Sequence, residues 1–223
     1  MWNNLRTKAR GAWQAVSSAL IASPPAPGEV VRTALNRVNA LLIAGESISG
    51  SASTVPGYVR GELRNVSNDV FDLEHMARGV LWRHWATRTA AERAEFVRHF
   101  TDLLERLYVP HVRHSRWVSV LRSSDVVDGN HATVKWKIGT LRMAAAIEYR
   151  LRLQDGRWRI FDVVLNGQSF VGSSRQEFDQ RIRASSYAAV VREMPRWESL
   201  AFIGPGMTLA PTADSPEPAR RGW

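Results

Sequence analysis

The sequence predicts an α+β domain: N-terminal helices packed on a curved four-stranded antiparallel sheet, followed by C-terminal helices. Three observations predict it. Apolar residues recur at helical spacing from Val30 to Leu107, the period drops to two after Ser115, and turn pairs such as Asp155-Gly156 separate the alternating runs. Strands joined by such short turns lie antiparallel, and a sheet with one apolar face needs helices to cover it.

The elements follow in chain order. Pro24-Pro25-Ala26-Pro27-Gly28 reads as a linker opening the folded part. Val30, Val31, Leu35, Val38, Leu41 and Leu42 mark a first helix, which Gly45 is placed to end, and Glu46 to Thr54 reads as a loop. Pro56 opens a second helix with Val59, Leu63, Val66 and Val70 on one stripe, and Asp72 caps a short third through Met76 and Val80. Thr89 and Glu92 have the spacing of a capping box, followed by the apolar face Phe96, Phe100, Leu103, Leu104 and Leu107, with Pro110 as its stop.

The strands come next. Trp117 to Leu121 begins one, and Asp128-Gly129-Asn130 turns it into a second, where Ala132, Val134, Trp136 and Ile138 alternate with His131, Thr133, Lys135 and Lys137. Met143, Ala145, Ile147, Tyr149, Leu151 and Leu153 form the apolar side of the third, and Trp158 to Leu165 is the fourth. Helices at about 173–184 and 187–192 close the domain. The tail 204–223 is rich in turn formers and poor in apolar residues, and is expected to be disordered.

Composition narrows the functions. A chain of 223 residues supports one solid core with tails, which gives a domain over 27–203. No run of eighteen apolar residues occurs. The formal charge of +9 favours anionic surroundings, either phospholipid headgroups or nucleic acid. The absence of cysteine excludes disulfides, thiol nucleophiles and Cys-based zinc sites. Residues 1–26 combine Arg6, Lys8 and Arg10 with an apolar stretch that Gln14, Ser17 and Ser18 interrupt. A weak export signal, a mis-assigned start and an amphipathic surface helix all fit that stretch.

Catalytic motifs are missing. Gly167-Gln168-Ser169 follows a strand, but Gly172 comes one residue too late for a nucleophile elbow, and the last histidine is His131, before the serine. Gly167 suits a turn and Ser169 a helix cap. His111 and His114 stand beside Pro110 without a carboxylate partner pattern, and read as a polar loop pair rather than a metal site. No phosphate-cradling glycine motif is present, so no nucleotide or other cofactor is expected. Asp162, between Phe161 and Val163, is the one candidate general base, because an apolar pocket would raise its pKa. The competing expectation is that it pairs with an arginine or caps a turn. Nine tryptophans and many arginines also suit nucleic-acid stacking, but the aromatics fall mostly on apolar faces, so no nucleic-acid partner is expected.

Read together, the motifs carry a resemblance. Trp158 and Asp162 on a strand, the turn Gly167-Gln168-Ser169, then Arg175 and Phe178 resemble the signature of the MlaC ("toluene tolerance") family. Phe71-Asp72-Leu73, Met76-Ala77, and Trp85 to Tyr108 follow that family upstream, and the resemblance spans about residues 27 to 190. Gln168 replaces an aliphatic residue, Trp82 stands where glycine is common, and Ser173-Ser174 replaces an Asn-aromatic pair. The resemblance implies a periplasmic carrier that is not an enzyme, holding phospholipid tails in an apolar cavity between helices and sheet and serving a membrane-bound ABC transporter complex. Hopanoids fit the same implication. The lining residues expected are Val134, Trp136, Ile138, Met143, Ile147 and Tyr149, with Phe96, Phe100 and Leu104 opposite.

Overall fold

The computed structural model describes residues 24–49, 56–115, 119–139, 144–197 and 200. Their order is α1 (Pro27–Ser49), α2 (Gly57–Val70), α3 (Leu73–Leu81), a 3-10 turn (Trp82–His84) and α4 (Ala90–Ser115). Then come β1 (Ser119–Asp128), β2 (His131–Gly139), β3 (Ala144–Gln154), β4 (Arg157–Leu165), β5 (Gln168–Ser169), α5 (Phe170–Ala184), α6 (Tyr187–Glu193) and a second 3-10 turn (Met194–Arg196). The strands lie in sequence order in one antiparallel sheet. Residues 1–23 and 201–223, which include most of the leader and the whole tail, lie outside the described residues, as do Trp117, Val118 and Met143.

Local chemistry sets the boundaries. Pro27 occupies the first position of α1, where its missing N–H costs nothing. The next amide, Gly28 N–H, donates to Asp125 Oδ2 at 2.8 Å, so a carboxylate from β1 sits at the positive end of the helix. Asp72 accepts from His75 N–H at 3.0 Å as the cap of α3. The capping box of α4 is reciprocal: Glu92 N–H donates to Thr89 Oγ1 at 3.2 Å, and Thr89 N–H to Glu92 Oε2 at 2.8 Å. Asp155-Gly156 and Asn166-Gly167 both have positive φ at both residues, the geometry whose twist matches that of the flanking strands.

Several sequence expectations are corrected. Gly45 does not end the first helix, which runs to Ser49. Glycine is there because a Cβ would meet Val59 Cγ2 at 3.2 Å where α1 and α2 pack together. Glu46 to Ser49 is therefore helix rather than loop, and 50–54 is outside the described residues. Pro110 does not stop α4, which continues to Ser115, because a proline inside a helix forfeits one backbone bond without obliging a long helix to end. His111 and His114 are thus helical, not a loop pair. Finally, Gln168–Ser169 pairs with Val164 and Leu165 as a short fifth strand, and α5 starts at Phe170 rather than Ser173.

Two large apolar cores result, beside a smaller cluster of Leu42, Val59 and Leu63 where α1 packs on α2. One lies among the helices: Met76, Val80, Leu81, Phe96, Phe100, Leu103, Phe170, Phe178, Tyr187 and Met194. The other lies between the sheet and α1–α2, joining Val31, Ala34, Val66 and Val70 to Val134, Trp136, Tyr149, Leu151, Trp158 and Ile160. Phe71, bridged to Ile160, packs against both.

Candidate functional site

The sheet's apolar face follows from register. Val134 opposes Tyr149 and Trp136 opposes Ile147, while across β3 Tyr149 opposes Val163 and Ile147 opposes Leu165. Strict alternation along β4 would put Asp162 and Val164 on the face of Trp158 and Ile160. A bulge intervenes: Leu151 opposes Ile160 but Arg150 opposes Asp162, which leaves Phe161 as the extra residue. Beyond it Val163 and Leu165 join the apolar face, and Asp162 turns to the charged one with Arg150 and Glu148. Nothing in the sequence marked that bulge.

The structure divides the nine expected lining residues. Val134, Trp136 and Tyr149 are buried together on the sheet, with the indole of Trp136 edge-on to the Tyr149 ring at 5.5 Å. Ile147 packs against them half-buried, and Ile138 pairs with Val120 and Ala145 through its backbone. Met143 is outside the described residues. Phe96 and Phe100 do not face this layer. They are fully buried in the helical core, stacked on one another and flanked by Phe178, Tyr187 and Phe170, and Leu104 is half-buried against that core. The apolar stripe of α4 was legible, but which core it would enter depended on where α5 and α6 pack.

Sequence reasoning missed Val38 and Leu41 on α1, and Leu165, all half-buried apolar side chains at the margins of the two cores. One polar atom in the sheet layer stands out. Trp136 is 5% exposed, and its Nε1 is buried without a hydrogen-bond partner among the described residues. A buried donor left unpaired costs about 1–3 kcal/mol. A cleft of about 360 Å³ lies on the opposite, outer face of the sheet, where Ser124, Lys135, Lys137, Ala146 and Asn166 meet and Lys135 pairs with Glu148.

The signature residues of the strand–turn–helix segment assemble a joint between β4 and α5. Asp162 is 4% exposed. Its Oδ1 accepts from Val163 N–H and Val171 N–H, both at 3.0 Å, and its Oδ2 from Ser169 Oγ–H at 2.6 Å and Arg150 at 3.3 Å. Ser169 Oγ in turn accepts from Gly172 N–H at 2.9 Å, capping α5. Both Asp162 oxygens are therefore engaged in holding β4 to α5, although the carboxylate borders a cleft of about 330 Å³ with His75, Phe161 and Arg175. Arg175 donates to Gly79 O at 2.8 Å, and Gly79 is small because a Cβ would press on Val171. Phe178 is buried in the helical core, edge-on to Phe96.

His75 lies beside this joint, its ring edge-on to Phe161 at 5.4 Å. Burial pushes its imidazole below the ordinary histidine range, and the Arg152 guanidinium adds to that against the opposing pull of Asp72. Arg152 itself pairs with Asp72, tying the sheet to the cap of α3.

Comparison with known proteins places this geometry. The family model described as MlaC protein matches residues 38–196. Among solved structures, the chain is similar to a phospholipid-binding protein from Ralstonia solanacearum determined in complex with a phospholipid. That match has 16% identity and a TM-score of 0.64, and covers 77% of this chain and 96% of that one. No curated protein sequence matches.

Proposed function

The chain belongs to the MlaC protein family, and from that premise we propose that it is a periplasmic carrier, not an enzyme. It takes phospholipid tails into the layer between the sheet and α1–α2 and shuttles lipid for a membrane-bound ABC transporter complex. The single observation that carries the reading is the orphaned indole N–H of Trp136 within an apolar layer. A dry core does better with phenylalanine there. A donor without an acceptor suits a guest that brings one, such as the ester carbonyl of a glycerolipid whose tails the same layer would cover. The half-buried side chains of Ile147, Val38 and Leu41 continue that layer.

Energetics explain why such a carrier is needed. Two acyl tails expose some thirty methylenes at about 0.8 kcal/mol each, on the order of 20 kcal/mol in water. Helices α1 and α2 must part from the sheet to admit them, and release requires a partner that favours the empty state. The engaged carboxylate of Asp162 supports a carrier over an enzyme, since a general base needs a free lone pair facing substrate. The Ralstonia protein, whose structure holds a phospholipid on a similar fold, supports phospholipid as the cargo class.

Native mass spectrometry of gently purified protein, followed by organic extraction and lipid identification, tests the reading. Bound phospholipid is expected in the wild type. Trp136→Phe, which keeps an aromatic ring but removes the donor together with part of the indole's volume, is expected to retain at least roughly fivefold less, the loss of about one net hydrogen bond or more. Wild-type protein that arrives empty and stays empty when offered phospholipid ends the proposal.

A further inference from the structure

Trp82 combines features that a fold alone does not explain. It is the C-terminal cap of α3, with φ 46° and ψ −115°. L side chains resist that region, whereas glycine enters it freely. The strain is not offset by burial, because the side chain is 55% exposed. A bulky aromatic held at a glycine position and left in solvent weakens the folded state, so its use lies outside the fold.

The surroundings give the chemistry of the partner. The guanidinium of Arg83 lies 5.3 Å from the Trp82 ring centroid and that of Arg175 lies 5.7 Å away. Arg83 and Arg175 therefore flank an exposed indole, and Asp179, the carboxylate partner of Arg83, is shared with Arg183 and His84. Indoles settle at the headgroup level of bilayers, and arginines pair with lipid phosphates. A protruding ring with cations on its flanks, rather than a groove, fits a flat anionic surface better than a folded protein partner.

We infer that Trp82, with Arg83 and Arg175, is an attachment point for the anionic surface of a lipid bilayer. The inference goes beyond carriage of lipid, since attachment uses the outside of the helical half and not the sheet layer. Retention of phospholipid, measured separately, keeps a failure of one reading distinct from a failure of the other.

The test is co-sedimentation of the full chain with vesicles of phosphatidylcholine alone and of phosphatidylcholine mixed with phosphatidylglycerol. The wild type is expected to pellet with the mixed vesicles only, and less so as salt is raised. Trp82→Gly is expected to weaken binding at least about fivefold while the thermal midpoint holds or rises. Arg83→Gln is expected to weaken binding by about fivefold as well. Equal pelleting of wild type and Trp82→Gly overturns the inference, as does a wild type that ignores both vesicle types, which would leave the patch to a protein partner. A midpoint that falls by many degrees in Trp82→Gly with binding intact also overturns it, because Trp82 then serves the fold.

Discussion

Removing the Asp162 carboxylate tests whether the signature segment is a joint. Asp162→Ala leaves the Ser169 hydroxyl and the Val163 and Val171 amides without their acceptor, and Arg150 without its buried partner. Hydrogen bonds to a charged group contribute about 1.5–3 kcal/mol each, and three that share one carboxylate fall short of additive, so a loss of about 3–5 kcal/mol is expected. The Arg150 pair adds little, because its guanidinium side chain is 42% exposed. At roughly 2–4 °C per kcal/mol for a domain of this size, the melting midpoint should fall by about 10 °C. Asp162→Asn keeps one acceptor oxygen for the two amides and turns its amide group toward Ser169, so it should cost only about 1–2 kcal/mol. Urea unfolding followed by circular dichroism reads both variants, and extraction of bound lipid reads function. Lipid retention should survive Asp162→Asn. An alanine variant that loses less than about 1 kcal/mol would refute the joint, and return Asp162 to consideration as a functional carboxylate.

Two further outcomes separate core from lining and test the titration of the joint. Phe100→Ala, in the sealed helical core, should cost about 3–5 kcal/mol with retained lipid per folded molecule unchanged, whereas Ile147→Ala should cost under about 2 kcal/mol yet reduce retention; the reverse pattern in paired unfolding and extraction assays contradicts the division of the two cores. His75 has a folded pKa below its unfolded value of about 6.5. Above that value both states are neutral and the group contributes no pH dependence. As pH falls below it the unfolded chain takes up the proton first, so stability declines until the folded pKa is reached. His75→Phe should therefore flatten part of the fall in urea midpoint between about pH 7 and pH 5, and an identical fall in both proteins would exclude the effect.

Much of the framework was legible because it rests on chemistry local in sequence. The capping box of Thr89 and Glu92, the cap at Asp72, the paired turns at 155–156 and 166–167, and the alternation along β2 and β3 each involve residues within a few positions of one another. The competing expectation for Asp162, a carboxylate that pairs with an arginine or caps a turn, was also open to local reasoning, since Ser169 and Val171 lie just downstream. Gly45 and Pro110 misled for a related reason. Each has a punctuating habit as a residue type, but the packing of α1 on α2 and the length of α4 decided their surroundings.

Sequence by itself determined the α+β class, the strand order, the family and the apolar faces of the helices and of β2 and β3, since periodicity and turn chemistry fix what a short stretch can do alone. Tertiary structure decided which apolar faces meet. It sent Phe96 and Phe100 into a helical core away from Trp136, re-phased β4 at Phe161, and left one indole donor unpaired and another indole strained in solvent. Those outcomes depend on contacts between residues tens of positions apart, where burial is shared among several elements and no single stretch of chain carries the information.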